Sequence, residues 1–255
     1  MNAVKWVLID DTKGTKTSGG DALSAGALAL FAEAVANQIN TEFAAEWGAK
    51  ASIRVGANAK DIQPGEWAYA FWPSLPDAPQ ASAYHDINGQ GVPFAVCAVK
   101  TCADLFGPNG VSVDVSHEML ETAGDQGANL FANDNHGTLH ALEMCDAVEV
   151  QTYGKKCKDG TVVQVSNWLM RSWFIPGAAS PYDYMSSAKL SGAVAPAGPL
   201  QTASGHGGNY QIVSKAGASK QVFALENHIL GVRRKGKPNW SSRAGKRLAM
   251  MKQMS

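Results

Sequence analysis

VSVDVSHEMLE, residues 111–121, and EMCDAVE, residues 143–149, are the two stretches on which the reading of this chain turns. His117 and Glu121 stand four apart, so on a helix they project from one face, one turn above the other. Glu118 sits beside them, rotated by about 100°. Two donors at i and i+4 with a glutamate between them is the layout of a zinc-peptidase helix, in which that glutamate handles the proton of water. Here the second histidine of the usual HExxH is a glutamate. An i,i+4 His/Glu pair also makes a plain helix-face ion pair worth about 0.2–0.5 kcal/mol. The helix alone therefore does not decide, and the second stretch matters. Glu143, Asp146 and Glu149 recur every third residue, which suits a helical turn or a loop lining a site.

Working outward, Val4–Asp10 reads as a first strand, and the polar segment TKGTKTSGG (residues 12–20) after it reads as a mobile surface loop. That segment lacks the G-x-x-x-x-G-K-[ST] order of a phosphate loop. Asp21 is a plausible N-cap for a long helix through Trp47, with Leu28, Phe31, Val35 and Ile39 at helical spacing. Ala51–Gly56 is the next strand, and strand, helix, strand in that order predicts a right-handed crossover in a mixed sheet. WAYAFW (residues 67–72) and residues 93–99 are further strands. The segment 92–99 is the better candidate for the sheet edge, where an extended peptide would add as a strand. Ser112 or Asp114 is the expected cap of the helix that carries His117. Residues 127–140 read as a polar loop on which His136 and His140 face solvent. Residues 210–226 carry a hairpin around AGASK.

Composition sets bounds. At 255 residues the chain can bury a substantial core. Its 22 Lys+Arg against 22 Asp+Glu imply no bulk attraction to nucleic acid or membrane. The charge is uneven, because Arg233, Arg234, Lys235, Lys237, Arg243, Lys246, Arg247 and Lys252 gather near the C-terminus. That segment reads as a basic arm needing a partner, without a motif for reading nucleic acid. Cys97, Cys102, Cys145 and Cys157 contain no CxxC pair, so no zinc knuckle is expected. Cys145 reads as a small buried residue behind the acidic stretch. The apolar run 22–36 is interrupted by Glu33 and short for a membrane span. MNAVKWVLIDD lacks a signal-peptide pattern, so synthesis in a cytoplasm is expected.

Ser116, His117, Glu118 and Glu121, followed by Glu143, Asp146, Val148 and Glu149, resemble the SHExxE and ExxDPVE segments of zincin-like proteins of bacteria and phages. AYHDINGQGVPFAVCAV (residues 83–99) resembles the family's YHD and G-x-P-x-A region. VSNWLMRSWFIP (residues 165–176) and GHGGNYQIV (residues 205–213) resemble two further segments, so the likeness runs over residues 67–247. Two departures stand out. The family's DP after the helix is Asp125-Gln126 here, and DPVE reads DAVE, with Ala147 replacing proline.

The resemblance implies an α+β fold: a zincin-like mixed sheet with a long N-terminal helix and a metal-site helix. Residues 1–190 would form that domain. Residues 191–255 would be a Gly/Ala-rich C-terminal extension with a hairpin and the basic arm. It implies a metal-dependent peptidase acting on a peptide or protein substrate. His117 and Glu121, with Glu143 or Asp146, would hold Zn2+ or another divalent cation, and Glu118 would be the general base. Tyr153, Tyr182 and Tyr184 are candidate oxyanion stabilisers that the sequence does not separate. Two carboxylates beside one imidazole make a bound zinc a poorer Lewis acid and loosen selectivity toward harder ions. The alternative expectation is a structural subunit of a phage virion or other assembly, built on the same scaffold with a non-catalytic metal, whose basic arm binds neighbouring subunits.

Overall fold

A computed structural model of the chain describes residues 3–79, 81–186 and 210–223. The chain is α+β. A five-stranded sheet in the order β2-β1-β3-β5-β4 is made of β1 (Val4–Asp10), β2 (Ala51–Gly56), β3 (Glu66–Trp72), β4 (Ala83–Ile87) and β5 (Pro93–Ala98). The pairs β1–β2, β1–β3 and β3–β5 are parallel, and β4 closes one edge antiparallel to β5. Trp6, Val7, Leu8 and Ile9 are all buried, the continuous apolar run of a strand covered on both faces.

Strand alternation sorts the core into two faces. Trp6, Leu8, Tyr69, Phe71, Ala83, Ala95 and Cys97 share one cluster with the helices α1 (Ala25–Gln38) and α3 (Val111–Gly124). Leu75, Tyr84, Val96 and Ala98 form a separate cluster. His85, paired with Ala95 and two residues from Ala83, therefore faces α3. The edge strand on this side is thus β4, and not the segment 92–99 favoured by the sequence. Pro93–Ala98 is enclosed between β3 and β4 because its apolar residues have neighbours on both sides.

Helix α1 starts one turn later than Asp21. Ser24 is its cap, accepting from the amide of Ala27 at 3.1 Å. Asp21 is used in the preceding loop, where its amide donates to Thr17 Oγ1 and its carbonyl accepts from the Thr17 amide. That loop is not a loose surface segment: Thr12 and Thr17 are buried, and the amides of Ser18 and Gly19 bond the carbonyls of Cys102 and Ala103. Gly19 is required there, since a Cβ would lie 2.3 Å from the Ala103 carbonyl oxygen. The long helix does reach Trp47, but through a π-turn, Ile39–Phe43, before the short α2 (Ala44–Trp47). Asn40 in that turn bonds both the amide and carbonyl of Ala51, tying the helix to β2.

A second sheet runs β11-β10-β7-β6, from β6 (Phe131–Asn133), β7 (Thr138–Ala141), β10 (Tyr210–Lys215) and β11 (Ala218–Phe223). A third pairs β8 (Thr152–Lys156) with β9 (Val162–Ser166). The expected hairpin around AGASK is present. Ala216 and Gly217 both have positive φ, 51° and 80°, the pattern of a two-residue I′ turn. Residues 210–215, assigned by the sequence to an extension, pair with β7 and complete the sheet of the preceding domain. Residues 127–140 are correspondingly more than a loop. His136 is exposed, but His140 is buried in β7, its Nδ1 3.0 Å from Gln211 Oε1. The Gly/Ala-rich stretch and the basic arm at residues 233–252 lie outside the described residues. No helix among the described residues is long and apolar enough to cross a membrane.

Candidate metal centre

Helix α3 is buried on every side, from Val111 to Ala123. Neither Ser112 nor Asp114 caps it. Gly110 occupies the cap position, and the amides of Val111 and Ser112 bond the carbonyls of Asp104 and Leu105. A loop backbone thus satisfies first-turn donors that a side chain usually takes. Ser112 Oγ donates instead to the Gln164 carbonyl on β9 at 2.7 Å. One turn on, Ser116 Oγ donates to Gln38 Oε1 at 2.7 Å and accepts from the Ser166 amide at 3.0 Å. Gln38, at the last turn of α1, also donates to the Ser166 carbonyl and to Tyr153. This network fixes α3 between α1 and β9 directly before His117.

The expected donors come together. His117 Nε2 lies 3.3 Å from Glu121 Oε1 and 3.3 Å from Asp146 Oδ1. Asp146 opens a 3-10 turn, Asp146–Val148, which presents it to the helix. The amide of Cys145 bonds Glu121 Oε1 at 3.2 Å, so the backbone of the second acidic stretch docks on the carboxylate of the first. Cys145 is itself fully buried in the core, with its thiol pKa pushed well up by burial and by Glu121. For His117, burial opposes protonation. The charge of Glu121 and the hydrogen bonds that His117 donates to Asp146 and Glu121 outweigh it and raise its pKa well above the usual value.

His85 is the residue that the sequence reading left out. Its Nδ1 lies 2.8 Å from Glu118 Oε2 and 3.4 Å from Glu121 Oε2, and its Nε2 is 3.9 Å from Glu143 Oε2. Glu143 enters the cluster beside His85, whereas Asp146 enters beside His117. The alternation in residues 83–87 could have placed His85 on the same face as the buried Ala83. That it meets α3 depends on a sheet pairing that no local pattern states.

The three candidate tyrosines are engaged elsewhere. The Tyr153 hydroxyl donates to Glu42 and accepts from Gln38, and burial with Glu42 raises its pKa. Tyr182 donates to the Ala178 carbonyl, and Tyr184 stacks on Trp168. The phenol at the cluster is Tyr210, buried at the start of β10 and hydrogen-bonded to Asp146. Burial first, then Asp146, Glu149 and Glu121, hold its pKa well above the usual value. Its signal was present in GHGGNYQIV, which the sequence reading used only as a mark of resemblance. Trp173 packs against Phe174 and His140, and Trp168 against Phe43, lining the core around this region.

Glu118, Glu121, Glu143, Asp146 and Glu149 are all buried, and the first four lie against His85 or His117. Burying one unpaired carboxylate costs several kcal/mol, of the order that buried charges offset by pairing or by metal coordination. The donor spacing suits such an ion: tetrahedral bonds of about 2.0–2.1 Å to nitrogen and oxygen place donors about 3.3 Å apart. His117, Glu121 and Asp146 form one set of three donor atoms mutually within 4.8 Å, and His85, Glu118 and Glu121 form another. Comparison of the chain with protein-family models, with curated proteins and with solved structures finds no match.

Proposed function

We propose that the protein binds a divalent cation through His117, Glu121 and Asp146 and uses it in hydrolysis of a peptide substrate, in the manner of a zincin-like peptidase. The observation that supports this reading is the donor triangle, with His117 Nε2 at 3.3 Å from a carboxylate oxygen of each partner. One imidazole and two carboxylates fit Zn2+ and also accommodate harder divalent ions. A cation held there supplies Lewis acidity toward water and a carbonyl oxygen. Glu118 accepts the proton of the attacking water and returns it to the leaving amine. His85, with a proton on Nδ1, donates to Glu118 and fixes the rotamer of that base. Tyr210 holds Asp146 through a hydrogen bond. Metal content of protein purified without added metal, compared with His117→Ala, tests the binding step. Loss of the cation in the variant is expected, and an undiminished content would refute the assignment.

One observation supports a second reading. His117, Glu121 and Asp146 are each 5% exposed or less, as befits a cation that staples structure. On that reading the protein is a structural subunit of an assembly such as a phage particle, and the cation joins α3 to the acidic turn. Retention of the metal with no cleavage of any peptide in a broad library would favour it.

A further inference from the structure

We propose a second metal site in this chain, for a thiophilic divalent cation such as Zn2+, formed by Cys97, Cys102 and Asp114 with the Tyr69 hydroxyl as the fourth donor. The three side chains converge from separate parts of the fold. Cys97 lies in β5, Cys102 follows the 3-10 turn Val99–Thr101, and Asp114 is in the first turn of α3. Cys97 Sγ is 3.8 Å from Cys102 Sγ, and the two sulfurs lie 3.9 and 3.2 Å from the same oxygen, Asp114 Oδ2. A tetrahedral zinc with bonds of about 2.3 Å to sulfur and about 2.1 Å to oxygen spaces its donors about 3.8 Å (sulfur to sulfur) and about 3.6 Å (sulfur to oxygen) apart. The triad is close to one face of that tetrahedron before any ion is bound.

A separate observation concerns the same face of the sheet. Tyr69 is fully buried, and its hydroxyl has no hydrogen-bond partner among the described residues. Buried phenols ordinarily find one. Tyr69 lies on β3, two residues before the partner of Cys97 in β5, on the sheet face that meets α3. Its electrostatic neighbours are Cys97, Asp114, Glu118 and Cys102. The site is also held in place from outside. The Cys102 carbonyl accepts from both the amide and the hydroxyl of Ser18, each at 2.9 Å. Exposure of Cys97, Cys102 and Asp114 is 0, 2 and 4%, which describes a closed site in which the metal is structural.

Binding exchanges the two thiol protons, released to solvent, for two sulfur–metal bonds, while Asp114 contributes a carboxylate. No oxidant is involved. The ion would tie β5, the following turn and the start of α3 together, one helical turn ahead of Glu118. The site shares no ligand with His117, Glu121 and Asp146, so the two assignments stand or fall separately.

Cobalt(II) is the probe. Full-length protein loaded with Co2+ should show thiolate-to-cobalt charge transfer in the near ultraviolet together with the visible bands of tetrahedral cobalt. Both features should persist in His117→Ala and in Cys145→Ala, and the thiolate charge transfer should vanish in Cys97→Ser/Cys102→Ser, whose total metal content falls by one ion per chain. Should the double variant fail to fold, the wild-type spectrum with its two control variants still decides. A folded, cobalt-loaded wild type without the thiolate band overturns the proposal. So does a band that disappears in Cys145→Ala, or a Cys97–Cys102 disulfide that forms under air in the presence of excess Zn2+.

Discussion

His85 Nδ1 and Glu118 Oε2 are 2.8 Å apart, both side chains buried, one on the edge strand of the sheet and the other on the helix beneath it. The contact gives the base of the proposed reaction a fixed orientation. Glu118→Gln should leave fold and metal content intact while lowering peptide hydrolysis about 10²-fold or more. His85→Gln should also keep the metal at His117, with a smaller fall in rate and a changed pH profile. Cleavage of a broad peptide library, with metal stoichiometry measured on each sample, checks both. Loss of the metal in Glu118→Gln would make Glu118 a ligand.

Asp146, and not Glu143, is the carboxylate that the geometry sets beside His117. Asp146→Asn should therefore weaken metal binding about 10-fold or more, since an amide is a poor substitute for an anionic donor. Glu143→Gln, next to His85, should weaken it less. Competition titration against a chromophoric chelator separates the two, and the reverse order would exchange their roles.

Tyr210 is hydrogen-bonded to the proposed ligand Asp146. Tyr210→Phe removes the hydrogen bond to Asp146 while keeping the ring, so metal affinity should fall by about 10- to 100-fold with little loss of stability. The same chelator titration reads the effect, paired with a thermal melt.

Ser116 holds three elements with one hydroxyl. Ser116→Ala leaves Gln38 Oε1 and the Ser166 amide without that partner, and a buried polar group so abandoned costs about 1–3 kcal/mol. Urea denaturation of metal-free protein should show the loss. A difference under about 0.5 kcal/mol would show that water or relaxation replaces the bond.

The raised pKa of His117 has a definite sign. In metal-free protein its protonated form is stabilised by Glu121 and Asp146. That contribution is fully present below the unfolded pKa of about 6.5 and is lost as pH rises through the higher folded value. Metal-free protein should thus lose stability above about pH 6.5, and metal affinity should rise over the same range as the proton ceases to compete. Thermal melts with and without chelator across that range test both. A metal-free midpoint that rises with pH would contradict the assignment.

The elements legible from sequence are those whose signal is local. Val4–Asp10 and Ala51–Gly56 were readable as apolar runs, the helix around His117 as an i,i+4 pair, and the hairpin as a turn motif. What escaped depends on partners distant in the chain. Asp21 and Ser24 are both good caps, and only the bond between Asp21 and Thr17 shows why the later residue serves. The edge position of Ala83–Ile87 follows from pairing order, which a list of strands does not contain. His85 and Tyr210 reach the cluster across 33 and 64 residues from Glu118 and Asp146, and the segments that hold them, AYHDINGQG and GHGGNYQIV, do not state which partner they meet. Cys97 and Cys102, four residues between them, lack the short spacing of a zinc knuckle and meet only because a tight turn folds one back on the other.

Tyr210 reaches Asp146 from a strand that is held by β7, far down the chain. During synthesis the helix, both histidines and all five carboxylates emerge before it does. A nascent chain that has passed Glu149 already carries the full acidic cluster, with its second sheet lacking β10 and β11. A cation bound as proposed would meet its donors before the last wall is built. The order of emergence also makes early chain termination a distinct hazard: a product ending before residue 210 keeps His117, Glu121 and Asp146 and loses the strand that packs beside them.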